Sequence, residues 1–219
     1  MSVELFTKLV NLLSFLFLVT FFIVTVRGSL GGQVRAFAQQ SIVLTALTAL
    51  AGIFSGRHEL LGVAAVVALI KAYAVPAVLN RAVAKVGIQR AVSPYLGIPS
   101  TLGVSSALVV MAFYIMAPVA ASSRLPTADA IPLAFAGVLI GLFTTVNRKR
   151  AITQVLGFLM LENATFLLAL LATYGVPLIV ELGVFLDVLV AVLILEIFIY
   201  RIKDNFDSIE VKHLGTLRG

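Results

Sequence analysis

A chain of 219 residues with 61% hydrophobic and 12% charged side chains departs far from the soluble average of roughly half and a quarter, which excludes a soluble globular domain. Cysteine is absent, and with it disulfides, thiolate metal sites, iron–sulfur ligation and a cysteine nucleophile in this chain. The net charge of +6 sits in short segments between apolar runs, where membrane topology accounts for it, so it is not read as a nucleic-acid footprint.

About 20 apolar residues are needed to cross the hydrocarbon core. On that criterion seven spans are expected, at 5–26, 34–54, 59–80, 101–121, 128–146, 151–173 and 177–200. The fold class is therefore all-α: a polytopic membrane protein forming a single membrane domain over 1–219. Four helices fall in 1–127, three in 128–203, and 204–219 forms a tail. The first apolar run carries Glu4 and Lys8, lacks a strongly basic leader and exceeds the length of a signal-peptide core, so it is read as a retained helix. The longest connection, 81–100, includes RAVAKVGIQRAV, which reads either as an amphipathic helix on the membrane surface or as an ordinary basic loop.

Seven spans place Arg27, Arg35, Arg81, Lys85, Arg90, Arg148, Lys149, Arg150, Arg201, Lys203, Lys212 and Arg218 on one side of the membrane. The other side receives Lys8, Arg57 and Arg124. Twelve against three puts the N-terminus outside and the C-terminus in the cytoplasm. A faint internal repeat equates Arg27, Gln40, Gly62 and Arg81 with Arg148, Glu162, Gly183 and Arg201, about 121 residues later. Its copies run in the same direction, as in a parallel repeat about an axis along the membrane normal.

Five charged side chains lie more than three residues inside the apolar runs: Lys71, Glu162, Glu181, Asp187 and Glu196. A mid-bilayer charge costs roughly 2.5–3.5 kcal/mol on insertion scales, so it persists where it faces a bundle interior, finds a partner or takes part in ion movement. A rise of about 1.5 Å per residue puts Lys71, Glu162 and Asp187 roughly 15, 18 and 21 Å from the basic anchors Arg81, Arg150 and Arg201. These three fall near the midplane, whereas Glu196 and Glu181 fall near opposite interfaces. Around the last helix Glu181 and Glu196 are about 60° apart and Asp187 lies well away from both.

Glu162 is a candidate proton-relay carboxylate, or a packing residue bonded to Asn163 or a neighbouring helix. Asp187 carries the same pair of readings. Lys71 is a relay member or the counter-ion of Asp187 or Glu162, and Gln40, with Gln39, reads as an interhelical hydrogen-bonding amide. Pro76 frees a carbonyl about one turn back, beside Lys71, which suits a broken functional helix or a tolerated kink. His58 and His213 are too separated to form a metal pair, and no phosphate loop, catalytic triad or metal-ligand spacing is present.

The segments GVLIGLFTTVNRKR, QVLGFLMLENATFLLALLA, VPLIVELGVFLDVLVAVLILEIFIYRI and the terminal DSIEVKHLGTLRG together resemble a known family. Three spans, an acid beside an Asn-Ala pair, an acid in the next span and a tail ending in Leu-Arg-Gly resemble subunit K of NADH-quinone oxidoreductase (complex I) and related Mrp-type antiporter subunits. With four spans in front, the chain looks closer to membrane component E of hydrogenase-4 and formate hydrogenlyase-like complexes. The match is most specific over 154–219.

The resemblance implies a non-catalytic subunit of an energy-converting hydrogenase or complex I-related oxidoreductase complex. Its neighbours would be antiporter-like membrane subunits, its cofactors none, and a Ni-Fe centre and iron–sulfur clusters would belong to partner chains. It also implies that Glu162 and Asp187 contribute to a lateral proton pathway, with Glu181 the competing match for the second acid. Two other functions stay open: a small autonomous proton- or sodium-coupled transporter, which Lys71 and the repeat suit, and a structural membrane spacer.

Overall fold

A computed structural model describes residues 2–86 and 94–173. The chain divides into two units, Met1–Val184 and Phe185–Gly219, and the described residues all belong to the first. The span expected at 177–200 and the tail lie outside the described residues. Among those described, six helices are long and apolar enough to cross a membrane.

Helix α1 (Val3–Val26) begins where Ser2 accepts a hydrogen bond from the Leu5 N–H at 3.3 Å. Helix α2 (Leu30–Ser55) begins four residues before the expected span, because the Ser29 hydroxyl accepts from the Gly32 N–H at 3.2 Å and caps the new helix. It ends at Gly56, whose φ of 67° is the left-handed conformation that a side chain disfavours. The third span is one continuous helical rod with a change of pitch: α3 (His58–Val67), a π-helical turn (Ala68–Ala74) and α4 (Val75–Val86). The rod outruns the expected end at 80, so the RAVAKV part of the expected surface segment continues the spanning helix. Helix α5 (Ile98–Ser122), α6 (Ile131–Asn147) and α7 (Ala151–Thr173) follow, with Pro in the first turn of both α5 and α6, where its missing N–H costs nothing.

Helices α1 and α2, α2 and α3, α5 and α6, and α6 and α7 pack as antiparallel pairs, and α1 lies on α6 while α2 lies on α7. Thr7 on α1 donates to the Pro126 carbonyl at 3.1 Å, and Thr127 donates to the Leu171 carbonyl at 2.7 Å, so the starts of α1 and α6 and the end of α7 share one end of the bundle. The α6–α7 contact is the tightest. A Cβ on Gly141 would stand 2.7 Å from the Leu161 Cα, and one on Gly157 2.8 Å from the Thr145 nitrogen. Lipid tails are as apolar as leucine, so helices in a membrane gain by close backbone approach, which small residues permit.

One hydrogen bond occurs twice. Gln33 Nε2 donates to the Arg27 carbonyl at 2.8 Å at the α1–α2 corner, and Gln154 Nε2 donates to the Arg148 carbonyl at 2.9 Å at the α6–α7 corner. Both residue pairs sit about 121 positions apart, the interval of the sequence repeat. The helices that the repeat equates, α1 with α6 and α2 with α7, are also the ones in contact.

Candidate functional site

Pro76 has no N–H to donate, and its ring crowds the carbonyl four residues earlier. The rod responds by widening one turn: the Val75 N–H reaches the Ile70 carbonyl, five residues back, and Ala68–Ala74 takes π pitch. Lys71 lies inside that turn and is buried, with 3% of its surface exposed. The proline signal thus marks a π turn centred on the charged residue.

Across from it, α7 supplies Glu162, 5% exposed. The Lys71 Nζ stands 3.5 Å from the Glu162 Oε1, and the same ammonium lies 5.4 Å from the centre of the Phe166 ring. Glu162 and Phe166 are four residues apart on one face of α7, so a single helical stripe presents both a carboxylate and a π face to the cation. The sequence leaves Lys71 two candidate acids; among the described residues the structure joins it to Glu162, and Asp187 lies outside them. Sequence reasoning misses Phe166, although its spacing from Glu162 is an available signal.

The next residue on α7 turns to a different neighbour. Asn163 Nδ2 donates to Gln40 Oε1 at 3.2 Å and to Ser41 Oγ at 3.1 Å, binding α7 to α2. All three side chains are fully buried. The interhelical role expected of Gln40 is therefore met, whereas Gln39 is exposed. Ser41 escapes sequence reasoning because hydroxyls in membrane helices commonly bond their own backbone, as this one also does to the Phe37 carbonyl at 3.1 Å. Glu181, Asp187 and Glu196 lie outside the described residues.

Chemically, the site is a charged pair held near the midplane of six apolar helices, with an amide–hydroxyl cluster one residue away. A carboxylate and an ammonium in contact can exchange between a charge-separated and a neutral state by moving one proton, which is what a relay requires. The same pair also neutralises two buried charges, which is what a structural pin requires.

The uncharacterized protein Rv0085 of Mycobacterium tuberculosis is 39% identical to this chain over 193 residues, 88% of each chain. Hydrogenase-4 component E of Escherichia coli and that of Shigella flexneri are 24% identical over 210 residues, 95% of this chain and 96% of theirs. No protein-family model matches the chain, and no solved structure matches it significantly.

Proposed function

Because this chain belongs to the same family as Rv0085 of Mycobacterium tuberculosis and is a distant homologue of hydrogenase-4 component E, we propose that it is a non-catalytic membrane subunit of an energy-converting hydrogenase-like complex. In this reading the Lys71–Glu162 pair is one station of a lateral proton pathway between antiporter-like subunits. Any Ni-Fe centre and iron–sulfur clusters reside on partner chains, and Asp187 or Glu181 supplies the next acid, on a seventh span resembling the last helix of subunit K. The chain crosses the membrane with its N-terminus outside and its C-terminus in the cytoplasm.

The observation that carries the proposal is the buried contact at 3.5 Å between a lysine in a π turn and a carboxylate on the facing helix. A pitch irregularity at a charged residue is a frequent mark of function, and apolar residues alone would have satisfied packing here more cheaply. Glu162→Gln tests it, because glutamine keeps the shape and cannot titrate. The expected result is an assembled complex with reduced proton translocation, and Glu162→Asp is the milder change. An assembled complex with unimpaired translocation rejects Glu162 as a relay residue.

The structural-spacer reading has its own support in the Asn163–Gln40–Ser41 cluster, which ties α7 to α2 without any titratable group. Under that reading Glu162→Gln lowers complex stability rather than transport. Co-purification separates both from an autonomous carrier, since an obligate subunit comes out of the membrane with its partners.

A further inference from the structure

The two corners that share the glutamine hydrogen bond differ in charge. At the first, Arg27 is exposed and Ser29 caps the following helix through the Gly32 N–H. At the second, Arg148 is buried to 4% exposure, and the position equivalent to Ser29 is Arg150, which has no oxygen on its side chain to offer the N-terminus of α7. The Arg150 carbonyl takes the Thr153 and Gln154 N–H groups at 3.0 and 2.9 Å, and an α-helix has no intrahelical partner for the N–H groups that begin it. Among the described residues no carboxylate pairs with Arg148 or Arg150, and the buried Arg150 Nη1 has no hydrogen-bond partner. Burial also pulls the Arg148 guanidinium below its ordinary pKa.

No acid among the described residues is near enough to help. Glu4, Glu59 and Asp129 sit at the opposite end of the bundle, and Glu162 is near the midplane. The corner is nevertheless rigid. Asn147 accepts from the Tyr95 and Leu96 N–H groups at 3.0 and 2.9 Å and donates to Thr101 Oγ1 at 3.1 Å, pinning the start of α5 beside it. Lys149 lies over the Tyr95 ring, 5.1 Å from its centre. Three consecutive cations at the start of a helix, one buried and one with an enclosed donor lacking a partner, form a setting that favours an anion.

We propose that Arg148, Lys149, Arg150 and the N-terminus of α7 bind the phosphate of an anionic lipid headgroup at the α6–α7 corner. The corner joins two spans, Ala128–Asn147 and Ile152–Thr173, and therefore lies at the depth where lipid phosphates lie. Basic pockets between membrane helices bind such headgroups, each Lys or Arg near the surface strengthening the attraction roughly fivefold. This proposal does not depend on the hydrogenase reading.

The test reconstitutes the full-length chain, with any partners that co-purify, in phosphatidylcholine bilayers containing phosphatidylglycerol, and measures retained lipid by native mass spectrometry. Phosphatidylglycerol retention over phosphatidylcholine is expected, falling roughly fivefold in Arg148→Gln and in Arg150→Gln. Arg150 is only half-buried, so its variant remains informative where Arg148→Gln fails to fold. Inorganic phosphate should not displace the lipid. Equal retention of the two lipids overturns the proposal, as does retention unchanged in both variants. Displacement by free phosphate overturns the lipid assignment. Retention that emerges only in Asp204→Asn/Asp207→Asn/Glu210→Gln overturns it in favour of the chain's own acidic tail.

Discussion

Lys71 and Glu162 illustrate why a buried ion pair is judged by what happens when half of it is removed. Taking away one partner strands the other charge in a medium of low dielectric, at a cost of about 3–5 kcal/mol in soluble proteins. If the pair is a structural pin, Lys71→Met alone depletes the assembled complex and Lys71→Met with Glu162→Gln recovers most of it; if it is a relay, each single variant assembles, because the group left behind takes its neutral form. Recovery of complex in the double variant, measured by subunit yield after solubilisation, reports the coupling directly; additive losses deny it. Asn163 is a second residue-scale case. Asn163→Leu removes its bonds to Gln40 and Ser41 and should lower stability by about 1–2 kcal/mol, whereas Gln39→Leu at the exposed neighbour should leave the thermal midpoint unchanged. The candidate charges themselves were legible from the sequence, because an ionisable residue in an apolar run is conspicuous. The choice among their partners was not, since pairing depends on which helix faces which.

At the scale of elements, two features carry distinct expectations. Pro76→Ala restores the missing N–H and lets the rod return to α pitch, which turns Lys71 away from α7. Proton translocation should fall while assembly persists; an unchanged rate marks the π turn as a tolerated irregularity. The glycines of the α6–α7 contact behave differently. Gly141→Ala and Gly157→Ala place a Cβ within 3 Å of facing backbone and should destabilise by about 1–3 kcal/mol, whereas Gly62→Ala meets nothing within 4 Å and should be neutral or mildly stabilising. Thermal melts of the three variants side by side decide the matter. Spans were readable because length and hydropathy are local properties, and their ends moved by only a few residues where a cap such as Ser29 set them. The π turn was half readable: proline announced a disturbance, but whether a helix kinks or widens depends on the neighbours that hold its flanks.

For the whole molecule, the described cations gather at the end of the bundle that holds Arg27, Arg81 and Arg148, while Lys8, Arg57 and Arg124 share the other end with Glu4, Glu59 and Asp129. With that asymmetry, cysteines introduced at positions 57 and 149 should label from opposite sides of the membrane, 149 from the cytoplasm; labelling from the same side contradicts the topology. No native cysteine interferes. The sequence by itself determined that the described chain is helical and membrane-embedded, where its six described spans lie, and which residues within them carry costly charge, because each follows from composition read within about 20 residues. Tertiary structure decided what those residues meet. It brought Lys71 to Glu162 across 91 positions, set Asn163 against Gln40 rather than beside its neighbour, and buried Arg148 while leaving its repeat equivalent Arg27 in the open. Helix faces are periodic along the chain, but the rotation of one helix against another is fixed by packing of both surfaces together, and no local pattern encodes that.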